Sequence, residues 1–98
     1  MTITKKQNES VLEIALEGRL DTITAPKLEK VLTESLEGVT ELIFDLEKLE
    51  YISSAGLRVL LMAKKIMYRQ GSMKAVHVGD IVREVFDVTG FSEILTIE

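Results

Sequence analysis

Apolar and polar residues alternate along the first quarter of the chain. The segment "LEIALE", residues 12–17, places leucine or isoleucine at every second position. This period predicts a strand with one buried face and one polar face. A shorter strand is expected over residues 2–6, and "QNES" between the two is typical of a turn. The two strands are therefore expected to form a hairpin.

A helical period replaces the alternation after residue 23. Thr24 is expected to cap the helix, and Pro26 suits the first turn, where a missing N–H group costs little. Apolar residues then recur at helical spacing, which predicts one buried face: Ala25, Leu28, Val31, Leu32 and Leu36. Gly38 is expected to end this helix at the C′ position, the residue just beyond the C-cap.

Short apolar runs alternate with helical periods in the rest of the chain. "ELIFDL", residues 41–46, is nearly continuously apolar, which is typical of a parallel strand covered on both faces. A leucine-rich helix follows it. The segment "MKAVHVG", residues 73–79, predicts a further strand, and residues 80–88 predict a helix that Gly90 ends. "EILTIE" is expected to close the chain as an edge strand.

The predicted order of elements is β-β-α-β-α-β-α-β. Strands that alternate with helices imply parallel crossover connections and a sheet with helices packed on it. No repeat, linker or low-complexity segment divides the 98 residues. We therefore expect a single α/β domain over residues 1–98, with a mixed and mostly parallel sheet.

Composition and charge narrow the classes of function. Apolar residues make up 46% of the chain and charged residues 29%, as in a globular domain with a real core. A net charge of −4 and 5% aromatic residues count against nucleic acid and anionic membranes as partners. The absence of cysteine removes disulfide and thiolate chemistry. No signal peptide and no apolar run of about 20 residues is found, so a cytoplasmic location is expected.

Residue types that carry catalysis are sparse. His77 is the only histidine, and its neighbours Val76 and Val78 indicate a strand and a structural or surface role. No nucleophile elbow, Walker A loop or dinucleotide fingerprint is present. Asp45 resembles a phosphoacceptor aspartate, but the strand before it ends in "ALEG" without the acids that Mg²⁺ would need. We expect no enzyme, no catalytic residue, no metal and no cofactor.

Two adjacent serines mark the strongest candidate site. In "LEYISSAGLRVLL", residues 49–61, Ser53 and Ser54 stand after the buried strand and at the start of the leucine-rich helix. Sites in open α/β sheets cluster at such strand ends, and a helix N-terminus favours an anion such as phosphate. Gly56 either lets another molecule approach or packs against the interior. The residues alone leave open whether the serines are only a cap.

A basic stripe continues from the serines along the same helix. Arg58, Met62, Lys65 and Arg69 follow one another at spacings of four, three and four residues. The stripe is either a solvated face that suits the dipole of the helix C-terminus or a surface that docks a partner.

The whole chain resembles the anti-sigma factor antagonists, the stand-alone members of the STAS domain family. The resemblance rests on "GRLD" at 18–21, "LIFDLEKLEYISSAGLRVLL" at 42–61 and "VREVFDVTGFSEIL" at 82–95. The usual loop of the family reads Asp-Ser-Ser/Thr-Gly-Leu, and the serine after the aspartate is phosphorylated. The match on Gly56 implies Ser54 as the phosphorylated residue. Ser53 then replaces the aspartate and becomes a second candidate, and Ala55 replaces the second hydroxyl residue.

The resemblance implies a partner-switching mechanism. The unphosphorylated protein would bind an anti-sigma factor that is also a serine kinase, and phosphorylation would release it until a PP2C-like phosphatase resets the switch. Asp21 is expected near Ser54, because both loops follow strands at the same end of the sheet. The expected partner-binding residues are Asp21, Ser53, Ser54, Gly56, Arg58, Met62, Lys65 and Arg69. Two alternatives stay open: a STAS module that senses a nucleotide or other small anion, and a hydrolase with Ser54 as its nucleophile.

Overall fold

The computed structural model describes residues 1–98, which form five strands and four helices. In chain order the elements are β1 Thr2–Asn8, β2 Val11–Leu20, α1 Ala25–Ser35, β3 Glu41–Ile52, α2 Ser54–Gln70, β4 Ser72–Val76, α3 Asp80–Thr89, α4 Phe91–Ile94 and β5 Thr96–Ile97. The strands lie in the sheet in that same order. Strands β1 and β2 pair antiparallel as a hairpin, whereas all later pairs are parallel. The predicted α/β class and mostly parallel sheet are therefore confirmed, with α4 as an additional element.

The helices cover one face of the sheet. Leu42, Phe44 and Leu46 of β3 have no exposed surface, whereas the alternate residues Ile43 and Asp45 are half-buried. Strand β2 shows the same alternation, and 25 buried apolar residues form one core between this sheet face and the helices. The prediction that β3 is covered on both faces is wrong, because Ile43 made a one-sided strand look like a continuous apolar run.

The start of α1 differs from its prediction. Thr24 occupies the cap position, but its side chain makes no capping hydrogen bond. Instead, the Asp21 carboxylate accepts from the N–H groups of Ile23 at 3.0 Å and Thr24 at 3.1 Å. The Thr24 hydroxyl accepts from the Asp21 N–H at 2.8 Å. Asp21 therefore orders the turn that leads into the helix, which is a common use of an Asp side chain.

Several element boundaries differ from their predictions as well. Helix α1 is capped at Leu36, so Gly38 lies one residue further than expected, in a turn with φ +80°. Strand β4 ends at Val76, and His77 follows it with a left-handed φ of +56° instead of continuing the strand. The first two residues of the expected last strand belong to α4, and β5 is only two residues long. Gly90 ends α3 with φ +83°, as predicted.

Candidate functional site

Strands β2 and β3 end side by side, which brings two loops together. Leu20 and Ile52 are register partners, and the Ser53 N–H donates to the Leu20 carbonyl at 2.9 Å. Asp21 follows Leu20 directly, so the "GRLD" turn and the serine pair share the carboxyl-end edge of the parallel strands. Sites in open α/β sheets form at this edge. No hydrogen bond joins Asp21 to either serine, so the two loops are neighbours rather than one bonded unit.

The two serines have different surroundings. Ser53 is the N-cap of α2: its hydroxyl accepts from the Gly56 N–H at 3.4 Å, and its carbonyl accepts from the Leu57 N–H at 2.9 Å. Ser54 is the first helical residue, is exposed, and makes no side-chain hydrogen bond. The capping interpretation therefore accounts for Ser53 and leaves the Ser54 hydroxyl free at the positive end of a 17-residue helix.

Gly56 lies on the inner side of the same turn. It is buried, and a Cβ at this position would stand 2.7 Å from Leu20 Cγ and 2.9 Å from Ile52 Cγ1. Real Cβ atoms do not approach other carbon atoms so closely. The absent side chain thus allows α2 to pack against the ends of β2 and β3. Of the two interpretations of Gly56, the structure favours the packing contact, and the prediction that it faces a partner is wrong.

The Asp21 carboxylate is held in its charged form. The hydrogen bond from the Thr24 N–H lowers the pKa of Asp21 below its usual 3.8, and the bonds from the Ile23 N–H and the Thr24 hydroxyl act in the same direction. Arg19 lies 4.0 Å from the carboxylate and stacks on the Tyr51 ring at 4.3 Å. The loop beside the serines therefore carries a fixed negative charge with a cation next to it.

The basic stripe of α2 is on the surface. Arg58, Lys65 and Arg69 are exposed, and none of them forms a salt bridge within the chain. Met62 is different, because it is half-buried and packs against the core. The cations therefore form an unpaired positive surface that begins one turn after Ser54.

Two exposed apolar side chains, one on α2 and one in the loop after Asp21, were not predicted from the sequence. Tyr68 is 82% exposed and stands fourteen residues after Ser54, which is about four turns and places it on the same side of α2. A search for apolar residues next to the basic stripe would have found Tyr68, which directly precedes Arg69. Ile23 is 80% exposed in the loop after Asp21, and no periodic signal in that loop indicates its exposure. We call Arg58, Lys65, Tyr68 and Arg69 the α2 strip.

His77 lies far from the serines. Its Nδ1 is 3.1 Å from Asp45 Oδ1, and this hydrogen bond raises the pKa of the exposed imidazole. Asp45 precedes Ile52 by seven strand residues, or roughly 20 Å. A hydrolase that pairs His77 with Ser54 therefore lacks the geometry of a catalytic base beside its nucleophile. No group of three acidic, histidine or cysteine residues is arranged to hold a metal ion.

The fold and the loops agree with a known family. The family model described as "STAS domain" matches residues 2–98. The chain belongs to the STAS domain family. BtrV of Bordetella bronchiseptica is 36% identical over 99 residues, which cover 99% of this chain and 85% of BtrV. The anti-sigma-B factor antagonist of Bacillus subtilis is 31% identical over 93 residues, which cover 94% of this STAS chain and 85% of that protein.

Solved structures share the fold of this STAS chain. An anti-sigma factor antagonist from Mycobacterium paratuberculosis superposes with a TM-score of 0.88 at 23% identity, over 98% of this chain and 83% of that one. The Bacillus cell fate determinant SpoIIAA in its phosphorylated form gives 0.78 at 18% identity, over 99% and 91%. The curated relatives that match are named anti-sigma factor antagonists, a class of regulator and not of enzyme. None of its helices has the length and apolarity needed to cross a membrane.

Proposed function

We propose that this STAS domain is a cytoplasmic binding switch that captures an anti-sigma factor with serine kinase activity and is released when Ser54 is phosphorylated. The observation that carries the proposal is the contrast within the serine pair. Ser53 uses its hydroxyl as the N-cap of α2, whereas Ser54 exposes a hydroxyl without a partner at the same strand end. A kinase can reach the second hydroxyl without unwinding the helix.

A phosphate at Ser54 would change the surface more than the fold. It adds about −1.5 to −2 charges at neutral pH. The free N–H groups and the dipole at the start of α2 favour that charge, so the domain itself tolerates it. A partner whose surface fits a small hydroxyl would instead meet a bulky, charged phosphate, and removing water from that phosphate on binding costs free energy. Release then follows from a local change, with no refolding required.

The α2 strip supplies the docking surface in this proposal. Arg58, Lys65 and Arg69 have no acidic partner within the chain, so an acidic surface on the anti-sigma factor would complement them. Tyr68 provides an exposed aromatic anchor on the same side of the helix. Ile23 offers a second apolar contact beside the serine loop. The negative Asp21 loop next to Ser54 opposes the phosphate and so favours its removal by a PP2C-like phosphatase.

The phosphorylated SpoIIAA structure supports this cycle, because a protein of the same fold carries a phosphate. The name of the Bacillus subtilis relative supports an anti-sigma factor as the partner class. Ser53 is the position at which this chain departs from the usual loop sequence of the family. Because its hydroxyl already accepts a hydrogen bond from the Gly56 N–H, we assign it to helix capping rather than to phosphate transfer.

The test is phosphate transfer from the cognate kinase with ATP, followed by intact mass. Wild type and Ser53→Ala should each gain one phosphate, and Ser54→Ala should gain none. Ser54→Ala should bind the unphosphorylated partner as wild type does, and Ser54→Asp should bind more weakly. Full transfer to Ser54→Ala would show that the assignment is wrong and would make Ser53 the acceptor.

A further inference from the structure

Strand β3 is longer than its neighbour β4. Its pairing with β4 covers Glu41 to Asp45, and the pairing with β2 continues to Ile52. The mismatch begins at His77, whose left-handed backbone ends β4 and turns the chain out of the sheet. From Lys48 to Ile52, β3 therefore has a strand neighbour on one side only. No other backbone hydrogen bond joins this stretch to α3 or to the loop before α3.

This free edge forms one wall of a groove. Leu49 and Glu50 line it on the strand side, and Gly79 to Val82 line it on the side of α3, around a volume of about 550 Å³. Ile81 is 65% exposed there. A Cβ built on Gly79 would contact nothing within 4 Å, so the wall is open at that point. The groove thus combines unpaired strand backbone with an exposed apolar side chain.

The charge of the groove is acidic. Glu50 and Asp80 are exposed at its rim, and neither takes part in a salt bridge. Arg19 is the only cation of the lining, and Asp21 and the Tyr51 ring already contact its guanidinium. Lys48 lies at the start of the free edge, outside the lining. A basic segment therefore fits this rim better than an acidic one.

We propose that this groove binds an extended, basic segment of a partner protein, which adds a strand to the free edge of β3. Backbone hydrogen bonds to residues 48–52 supply affinity, as in other cases of strand addition. Five strand residues span about 16 Å, enough for an equally long segment. One apolar side chain of the segment packs against Ile81, and flanking Lys or Arg side chains face Glu50 and Asp80. A helix would leave the strand edge unpaired.

This surface is distinct from the α2 strip and does not depend on phosphorylation of Ser54. The free edge ends at Ile52, one residue before Ser53, so its occupant lies next to the switch. The competing occupant is a second copy of this chain, because β1 is itself an edge strand and carries Lys5 and Lys6. Because α3 flanks the free edge of β3, a second copy would have to bring a folded domain past that helix, whereas an extended segment would not.

The test uses a capped six-residue peptide of alternating arginine and valine, titrated into the ¹⁵N-labelled full chain and followed by amide NMR. We expect shifts at residues 48–52 and 79–82 at millimolar peptide. Methylation of alternate peptide nitrogens should abolish binding, because it removes the donors of an added strand. Ile81→Gln, which removes the apolar contact without adding charge, should weaken binding about tenfold. Val88→Gln, a comparable apolar-to-polar change at an exposed site outside the groove, should leave the affinity unchanged.

Four results would overturn the proposal. No shifts at millimolar peptide would mean that the edge does not accept a strand. Equal binding of the N-methylated peptide would mean that charge alone attracts it. Shifts confined to β1 would mean that the peptide binds a different strand edge. Concentration-dependent dimerisation of the free chain through residues 48–52 would mean that a second copy occupies the edge of β3. The N-methylated peptide needs no protein variant, so this comparison remains valid even if Ile81→Gln disturbs the fold.

Discussion

The first turn of α2 has an inner and an outer side that obey different physical constraints. On the inner side, the Ser53 hydroxyl accepts a backbone N–H, and Gly56 lies where a Cβ would come within 2.7 Å of Leu20. On the outer side, the side chains of Ser54 and Arg58 are exposed and form no hydrogen bond or salt bridge within the chain. The inner side is fixed by packing and capping, whereas the outer side is free to meet a partner.

This difference separates two kinds of variant within the same short loop. A change on the inner side should lower the free energy of unfolding and affect binding only through the fold. A change on the outer side should alter binding or modification while leaving stability within about 0.5 kcal/mol. Of the four predictions below, three measure stability and one measures binding, because either quantity alone would not tell the two sides apart.

The largest effect is expected for Gly56→Val. The new side chain would overlap Leu20 and Ile52 in a closely packed interior, and such overpacking costs about 2–3 kcal/mol. For a domain of this size, that corresponds to a fall in Tm of roughly 10–20 °C. Thermal unfolding followed by circular dichroism measures it.

Gly79→Ala is the matched control for Gly56→Val. Gly79 also stands at a helix start, but a Cβ there meets nothing within 4 Å. Its cost should stay within about 1 kcal/mol, from a weaker N-cap alone. Equal destabilisation by the two changes would mean that Gly56 is not the tight contact between α2 and the sheet.

The sequence predicted those elements whose pattern repeats over several residues. The alternation in β2 and the long apolar period of α2 give many independent signals each, and both elements were found. Helix α4 has four residues, too few for a period to show, and the left-handed turn at His77 has no local marker. Whether Asp21 or Thr24 orders the start of α1 depends on three-dimensional contacts, because both residue types can do so.

The candidate site was likewise predicted only in part. Strand ends and a helix start located the serines, but a one-letter code does not say which side of a helix a glycine faces. Gly56 therefore stayed ambiguous until Leu20 and Ile52 were seen against it. The free edge of β3 was invisible in the sequence, because it depends on the difference in length between two paired strands.

The second largest effect is expected for charge reversal on the outer side. Arg58→Glu with Arg69→Glu should weaken binding of the cognate anti-sigma factor about tenfold to a hundredfold, because the positive surface becomes repulsive to an acidic partner. The unfolding free energy should change little, since neither side chain has an ion-pair partner in the chain. Calorimetric titration at two salt concentrations measures the loss and its electrostatic share.

Lys27→Glu with Lys30→Glu is the control for this pair. Both lysines are exposed on α1, so the net charge changes equally at a site outside the α2 strip. Their reversal should leave affinity within a factor of two or three. If the α1 and α2 variants lost affinity alike, overall charge rather than the strip would govern docking.

A smaller effect on the free energy of unfolding should distinguish the alanine variants of the two serines. Ser53→Ala removes the cap of α2 and should cost about 0.5–1 kcal/mol. Ser54→Ala removes no hydrogen bond and improves helix propensity, so its cost should be near zero. Urea unfolding of the two variants side by side gives both values. A larger loss for Ser54→Ala would reverse the assignment of the inner and outer hydroxyls.

The smallest effect concerns the Asp21 loop, which lies beside the first turn of α2. Because hydrogen bonds from the Thr24 and Ile23 N–H groups lower its pKa, ionised Asp21 stabilises the folded state above its ordinary pKa of 3.8. That contribution is lost as the pH falls through the lowered folded-state value. Asp21→Asn keeps the acceptor oxygen but not the charge. The stability difference between wild type and Asp21→Asn should therefore be constant near neutral pH and vanish in acid. A difference that persisted unchanged into strong acid would show that the charge of Asp21 does not contribute.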